Sequence, residues 1–290
     1  MIRNKAYTIL ELLVALTIVV VLAAMLMPVF AQAKEEARKV TCIANFRQVN
    51  ISSSIYRIDY DDRFVIPKYR GPRGENAFQD RTWVQLIQPY LRSFDAIHCP
   101  SDYNQDSTSN PLFDPDLNFS GGSIEKFYLW TQRANTGFNF IHLSPFVKEA
   151  NGEWMAMPRS DYELASPGNT LVFADSVWDV SANGKPKGGG SYLIVPPCRY
   201  VAVTQYDSFG LGSYNNDRIF TAARAWDDSR PPKRTKFGGL WPWHNGNLTT
   251  IMGDGSAKSM SVERVTEGCD VRPSWGGLIR DSAAYLWGIR

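Results

Sequence analysis

The residues best able to do chemistry in this 290-residue chain are three histidines, four cysteines and nine tryptophans. His244 is followed by nine residues and then by Asp254-Gly255. An imidazole close to a carboxylate, from Asp254 or from Asp175, supplies either a structural hydrogen bond or two ligands for a metal ion. The plainer reading of the same stretch is structural. Asp-Gly between the strand candidates Thr249–Met252 and Ala257–Ser261 is a strong hairpin signal, because glycine supplies the positive φ of the turn. His244-Asn245-Gly246 reads as a further turn before the first of these strands. Catalysis finds no frame: His98, His142 and His244 lie outside any GxSxG, HExxH or P-loop context. Gly188-Gly189-Gly190 lacks the strand–GxxxxGK–helix setting and reads as loop.

Cys42, Cys99, Cys198 and Cys269 allow three disulfide pairings, or remain free buried thiols; no CxxC pair suggests a zinc ribbon. The tryptophans all fall at or after Trp83. Most are expected to anchor core and loops, with Trp241-Pro242-Trp243 the best candidate for an exposed aromatic platform that takes a sugar or a partner. Glu11 poses a different problem. Leu12–Ala33 is 22 residues without a charge, and about 20 apolar residues cross a bilayer core. A carboxylate at the edge of such a run calls for a partner. If the chain were cut before Tyr7, the new α-amino group would lie about one helical turn away; in an assembly a neighbour's amino group could serve. Arg3 and Lys5 upstream favour a cytoplasmic N-terminus. An ordinary signal peptide is a poor fit, since its apolar region is shorter and ends at a small-residue cleavage site.

Arg3-Asn4-Lys5-Ala6 followed by Tyr7-Thr8-Ile9-Leu10-Glu11-Leu12-Leu13-Val14 closely resembles the type IV prepilin motif, and Pro28 matches a helix-loosening proline common in those subunits. Ala6 departs from it, because the family prefers glycine before the cut. The resemblance implies cleavage between Ala6 and Tyr7 by a prepilin peptidase, N-methylation of Tyr7, and packing of the apolar helix against identical or related subunits, with Glu11 neutralising a neighbour's amino group. A second set of segments lies further on: Asp59–Pro67 (DYDDRFVIP), Thr82–Leu91 followed by His98-Cys99-Pro100-Ser101-Asp102, Asn169–Ser176 (NTLVFADS), and His244–Gly255. Together these look like a group of large bacterial prepilin-like proteins whose hallmark is His, nine residues, Asp-Gly. Relatives often carry cysteine at the positions of Cys42 and Cys99. That implies a Cys42–Cys99 bridge closing a loop of about 58 residues, worth roughly 4 kcal/mol, with Cys198 and Cys269 left to pair. Related secretion subunits bind calcium near the C-terminus, but calcium prefers oxygen to imidazole. The metal candidates Asp175, His244 and Asp254 are therefore weak, and no cofactor beyond a structural calcium is expected.

The elements that must position these residues follow from the pattern. Val40, Ile43, Phe46, Val49, Ile51, Ile55 and Ile58 recur at three- and four-residue steps and predict a helical stripe. With no Gly or Pro from Val29 to Asp62, one helix is expected from about Thr8 to Asp59, loosened at Pro28. The Asp59, Asp61, Asp62 cluster marks its end. Beyond it, Gly and Pro become frequent, and short apolar runs at Leu171–Ala174, Tyr192–Val195, Arg199–Val203 and Leu248–Met252 predict strands among long loops. Thr82–Ser93 reads as a short helix. The expected fold is α+β and type IV pilin-like: a leader (1–6), a stalk helix (7–61, with 7–33 in the membrane), and a head (62–290) in which an antiparallel sheet lies on the stalk.

With 31 basic and 29 acidic residues, the chain is not a nucleic-acid binder that works by bulk charge. Arg3 and Lys5 are the only charged side chains of the leader, so the remainder is formally neutral. The function expected from the resemblance is structural, not enzymatic: a minor or specialised subunit of a type IV pilus or type II secretion filament. It would start as a single-pass inner-membrane protein and end in a periplasmic or extracellular filament. The alternatives are a pilin-anchored adhesin or glycan-binding module using Trp241 and Trp243, and a membrane-anchored envelope enzyme.

Overall fold

The structure, a computed structural model, describes residues 8–69, 81–102, 131–148, 154–177, 186, 188–196, 200–201, 239–269 and 278–288. Helix α1 (Ile9–Asp59) runs 51 residues without interruption and includes Pro28. Thr8 caps it: Glu11 N donates to Thr8 Oγ1 at 3.2 Å, and Thr8 N donates to Glu11 Oε2 at 2.9 Å. This reciprocal pair satisfies two backbone donors that an open helix end would leave bare. The helix stops where Asp61 and Asp62 turn left-handed, both at φ 55°. Among the described residues α1 is the helix long and apolar enough to cross a membrane.

The head follows as β1 (Lys68–Tyr69), β2 (Arg81–Thr82), α2 (Trp83–Leu86), β3 (Thr136–Asn139), α3 (Phe140–Leu143), β4 (Phe146–Lys148) and β5 (Trp154–Ala156). The chain continues as β6 (Leu171–Asp175), β7 (Leu193–Ile194), β8 (Tyr200–Val201), β9 (Asn247–Met252), β10 (Ala257–Ser261), α4 (Val262–Val265) and β11 (Leu278–Ile279). The principal sheet has the order β10-β9-β6-β3-β7, and α1 lies against β9 and β10. The architecture is α+β, but the sheet is mixed, not antiparallel throughout: β3 pairs with β7 in parallel, as β8 does with β11. The β9–β10 hairpin turns at Asp254-Gly255, with Gly255 at φ +83° and Ile251 opposite Ala257. The helix expected over Thr82–Ser93 is shorter. It ends at Leu86 and gives way to a 3-10 turn over Gln88–Tyr90, because Pro89 has no N–H to continue it.

Strand β6, at the centre of the sheet, is buried along its whole length, as is β3 beside it, whereas β10 at the edge is only half-covered. One core gathers Trp83, Phe138, Phe173, Phe46 and Val49. The other gathers Leu171, Leu248, Val265 and Trp287. Gly190 lies so close to the chain before β3 that a Cβ there would sit 2.2 Å from the Ala134 carbonyl oxygen, which gives the glycine run a packing role.

The face of α1 that enters this core differs from the predicted stripe. Cys42, Phe46, Val49, Ser52, Ser53 and Tyr56 are buried, whereas Val40, Ile51, Ile55 and Ile58 are 66%, 58%, 40% and 73% exposed. At about 100° per residue the two sets lie on opposite sides of the helix. The apolar pattern merged two faces, and the small serines let the helix approach the head on only one of them.

His142, packed on Tyr285 with Nε2 3.0 Å from its hydroxyl, is held down to about 4 by burial, with the Arg159 charge acting in the same direction. It is neutral when folded, whereas the unfolded chain protonates it below its ordinary 6.5. Stability should therefore decline as pH falls from about 6.5 to about 4 and be insensitive to this group above that window. Melting curves of the intact protein and of His142→Gln across this range should show a shallower decline for the variant; equal slopes would clear His142 of the effect.

Candidate functional site

Four of the side chains singled out in the sequence converge where α1 meets the head. Cys42 comes from α1 and Cys99 from the loop after a 3-10 turn at Phe94–Ile97. Asp175 ends β6 in the middle of the sheet, and His244 stands just before β9. One ligating atom from each lies within 4.8 Å of every other. Cys42, Cys99 and Asp175 are 0% exposed and His244 is 1% exposed.

Each is held by local structure. His244 opens a tight turn in which Asn245 and Gly246 take φ of 50° and 85°, and His244 and Asn247 exchange backbone hydrogen bonds at 2.9 and 3.2 Å. Two successive positive φ angles with Asn-Gly make a type I′ turn, whose twist suits a hairpin. Cys99 N donates to Asn135 Oδ1 at 3.0 Å, and Asn135 Nδ2 donates to Asp102 Oδ2 at 2.9 Å. Gly189 N also donates to Asp102 Oδ2, at 2.7 Å, so the His98–Asp102 loop is pinned from two sides. Asp175 Oδ2 accepts from Thr249 N at 2.5 Å, which fixes the carboxylate across the β6–β9 seam.

Within the cluster, Cys99 Sγ lies 3.4 Å from His244 Nε2, and Cys42 Sγ lies 3.6 Å from Asp175 Oδ1. His244 Nε2 is 4.0 Å from Asp175 Oδ2. The other ring nitrogen, Nδ1, meets Glu35 Oε1 at 3.0 Å. Ser101 Oγ donates to the same oxygen at 2.6 Å, and Arg38 lies 3.5 Å from Glu35 Oε2. Glu35 was not singled out in the sequence. The available signal was its spacing, seven residues or two turns before Cys42 on one helix face.

The electrostatics are those of a shared proton inventory. Burial opposes ionisation of the Cys99 thiol, but hydrogen bonds from Cys42 and His244 outweigh it and bring Cys99 down to about 6. Burial also opposes the charged His244; Cys99, Asp175 and Glu35 together overcome it and draw the imidazole up to about 9. Cys42 is pushed up, first by its hydrogen bond to Cys99 and then by burial. Burial holds the Asp175 carboxyl well above the usual carboxylate range, and the Cys99 charge adds to this.

Cys99, His244 and Glu35 have the order of a nucleophile, its base and an orienting carboxylate. The Cys99 side chain itself has no exposed surface. The cluster also brings Cys42 and Cys99 together, as the bridge expectation required, but no disulfide joins them. Cys269 is disulfide-bonded, while Cys198 lies outside the described residues.

The remaining sequence candidates are placed elsewhere. Asp254 Oδ1 accepts from Ser256 N and Oγ at 2.9 and 2.6 Å and serves the hairpin turn, so of the three metal candidates only Asp175 and His244 belong to the cluster. Trp241 and Trp243 do not form a flat exposed platform. Both are half-buried and tilted by 59°, and Trp243 Nε1 donates to Ser176 O at 2.9 Å, pinning the segment to the head. Glu11 is exposed at the tip of α1 beside Thr8, and Pro28 lies inside the exposed apolar half. Ala6 and Tyr7 lie outside the described residues. Comparison of the chain with protein-family models, curated proteins and solved structures gave no match.

Proposed function

We propose that this chain is a pilin-like structural subunit, minor or specialised, of a type IV pilus or type II secretion filament. It starts as a single-pass inner-membrane protein with a cytoplasmic N-terminus, is cut between Ala6 and Tyr7 by a prepilin peptidase, and assembles through α1 with identical or related subunits. The observation that carries this reading is the distribution of exposed apolar residues along α1. A plain membrane anchor needs apolar surface only over the span, which Ile9 to Phe30 supplies. Val40, Ile51, Ile55 and Ile58 lie beyond the span, at the level of the head, and face away from it. Exposed aliphatic side chains in one row are the surface expected where a second helix packs. Glu11 and the leader motif point the same way.

The test is a double variant, Ile51→Asp with Ile55→Asp, produced in the native cell. Neither residue enters the core, so the head should melt within about 2 °C of the unaltered protein, as surface substitutions usually do. Sheared filament fractions should contain at least ten-fold less of the variant than of the unaltered chain. Equal incorporation would leave α1 as an anchor and end the filament reading.

A further inference from the structure

We infer that Cys42, Cys99, Asp175 and His244 form a tetrahedral zinc site that clamps the stalk helix to the head. The donor set is the first ground. Two thiolates, one imidazole nitrogen and one carboxylate oxygen are ligands of zinc, whereas calcium and magnesium take oxygen. Spacing is the second. Zinc with sulfur at about 2.3 Å and nitrogen or oxygen at about 2.0 Å places tetrahedral ligands roughly 3.3–3.8 Å from one another. The Cys99 Sγ–His244 Nε2 and Cys42 Sγ–Asp175 Oδ1 separations, 3.4 and 3.6 Å, fall in that range; His244 Nε2 is 4.0 Å from the other Asp175 oxygen, Oδ2, and one ligating atom from each residue lies within 4.8 Å of the rest, so a small closure brings the set to zinc distances.

The surrounding shell is the third ground. A zinc-ligating histidine commonly donates its other N–H to a carboxylate, which fixes the tautomer and raises the basicity of the ligand. Glu35 stands 3.0 Å from His244 Nδ1, leaving Nε2 aimed into the cluster. Asp175 is oriented by Thr249 N, and Thr249 Oγ1 donates to Cys42 Sγ at 3.6 Å. Burial is the fourth. Structural zinc sites are closed, with four protein ligands and no open position, and this cluster has four ligands and no exposure. Binding expels to solvent whatever protons Cys42, Cys99, the Asp175 carboxyl and His244 Nε2 still hold, leaving two thiolates, a carboxylate and an imidazole neutral at Nε2; no electron is transferred. One ligand comes from α1, one from the loop before the sheet, and two from the sheet and its entry turn. The ion therefore adds a bond network to parts of the chain that otherwise meet through packing and hydrogen bonds. The inference does not depend on filament assembly.

The experiment uses the full chain purified in detergent under reducing conditions. Metal analysis should find one zinc per chain. Cys42 and Cys99 should resist alkylation until a chelator is added. Cobalt in place of zinc should give the ligand-field bands of a tetrahedral site and a thiolate charge-transfer band, a readout that needs no variant. Cys99→Ser and His244→Ala should each lower zinc content at least five-fold, Asp254→Ala should keep it, and Glu35→Gln should weaken affinity by about 10- to 100-fold. A Cys42–Cys99 disulfide in the exported protein would overturn the inference. Free, freely alkylated thiols that take up neither zinc nor cobalt would do the same.

Discussion

Trp83→Ala should destabilise the head by about 3–5 kcal/mol, the range for removing a large buried aromatic side chain. The indole has no exposed surface. It packs on Phe173 and Phe138 at centroid separations of 5.1 and 6.3 Å, and its Nε1 donates to Tyr192 O at 2.6 Å. Alanine leaves a cavity against β3 and β6 and removes one of the two hydrogen bonds to Tyr192 O, which keeps Phe138 N as a donor at 3.0 Å; both effects act in the same direction. Domains are stable by only about 5–15 kcal/mol, so the variant should melt about 10 °C lower and accumulate poorly. Trp83→Phe refills most of the space and loses mainly the hydrogen bond, so its loss should be less than half as large. Thermal melting of both variants in detergent checks the pair; an alanine variant that melts with the unaltered protein would show that this core is not what holds the head together.

Glu11→Ala should leave membrane insertion intact and remove the chain from filaments. Insertion depends on the apolar run that follows, which the substitution does not touch. The carboxylate caps α1 through Thr8, and losing a cap costs about 1 kcal/mol, too little to expel a span of this length. Under the filament reading the same carboxylate must meet a cation on a neighbouring subunit, and an apolar interface gives a lone charge no substitute. The expected result is full membrane recovery, processing to Tyr7 as before, and near-complete loss from sheared filaments. Glu11→Gln keeps a cap but not the charge, so it separates the two roles. If Glu11→Gln assembles normally, capping is the whole role of this residue.

Those two residues also show what the sequence disclosed and what it hid. Helix α1 was legible because an uncharged run followed by an amphipathic segment admits few other structures. The β9–β10 hairpin was legible because Asp-Gly has one favoured use. Strand β3, next to the centre of the sheet, was not. Its residues are Thr-Gly-Phe-Asn, of which Gly and Asn are poor strand formers. Gly137 is needed there because a Cβ would sit 2.3 Å from Ile194 Cγ2, a contact made with a strand more than fifty residues away. The parallel pairing of β3 and β7 was hidden for the same reason.

For the site, His244, Asp175 and the cysteines were each visible as reactive types. Their meeting was not, because 202 residues separate Cys42 from His244 and four different elements deliver them. The apolar periodicity of α1 misled in an instructive way. It joined Ile51, Ile55 and Ile58 to Phe46 and Val49 in one stripe, because apolarity marks surfaces to be covered without naming what covers them. The Thr8–Glu11 capping box is written plainly as Thr-x-x-Glu before an apolar run.

The continuity of α1 has a geometric consequence. One residue, Lys34, separates the end of the uncharged run from Glu35, the first side chain the head grips. At about 1.5 Å per residue that leaves no tether. The head sits flush on the end of the apolar run, and its compass bearing about the helix axis is set by how many residues lie between them. Deleting one residue between Ala33 and Glu35 would lower the head by about 1.5 Å and swing it by about 100°, while leaving every contact within the head unchanged. The direction in which the head points is thus written in the length of its stalk.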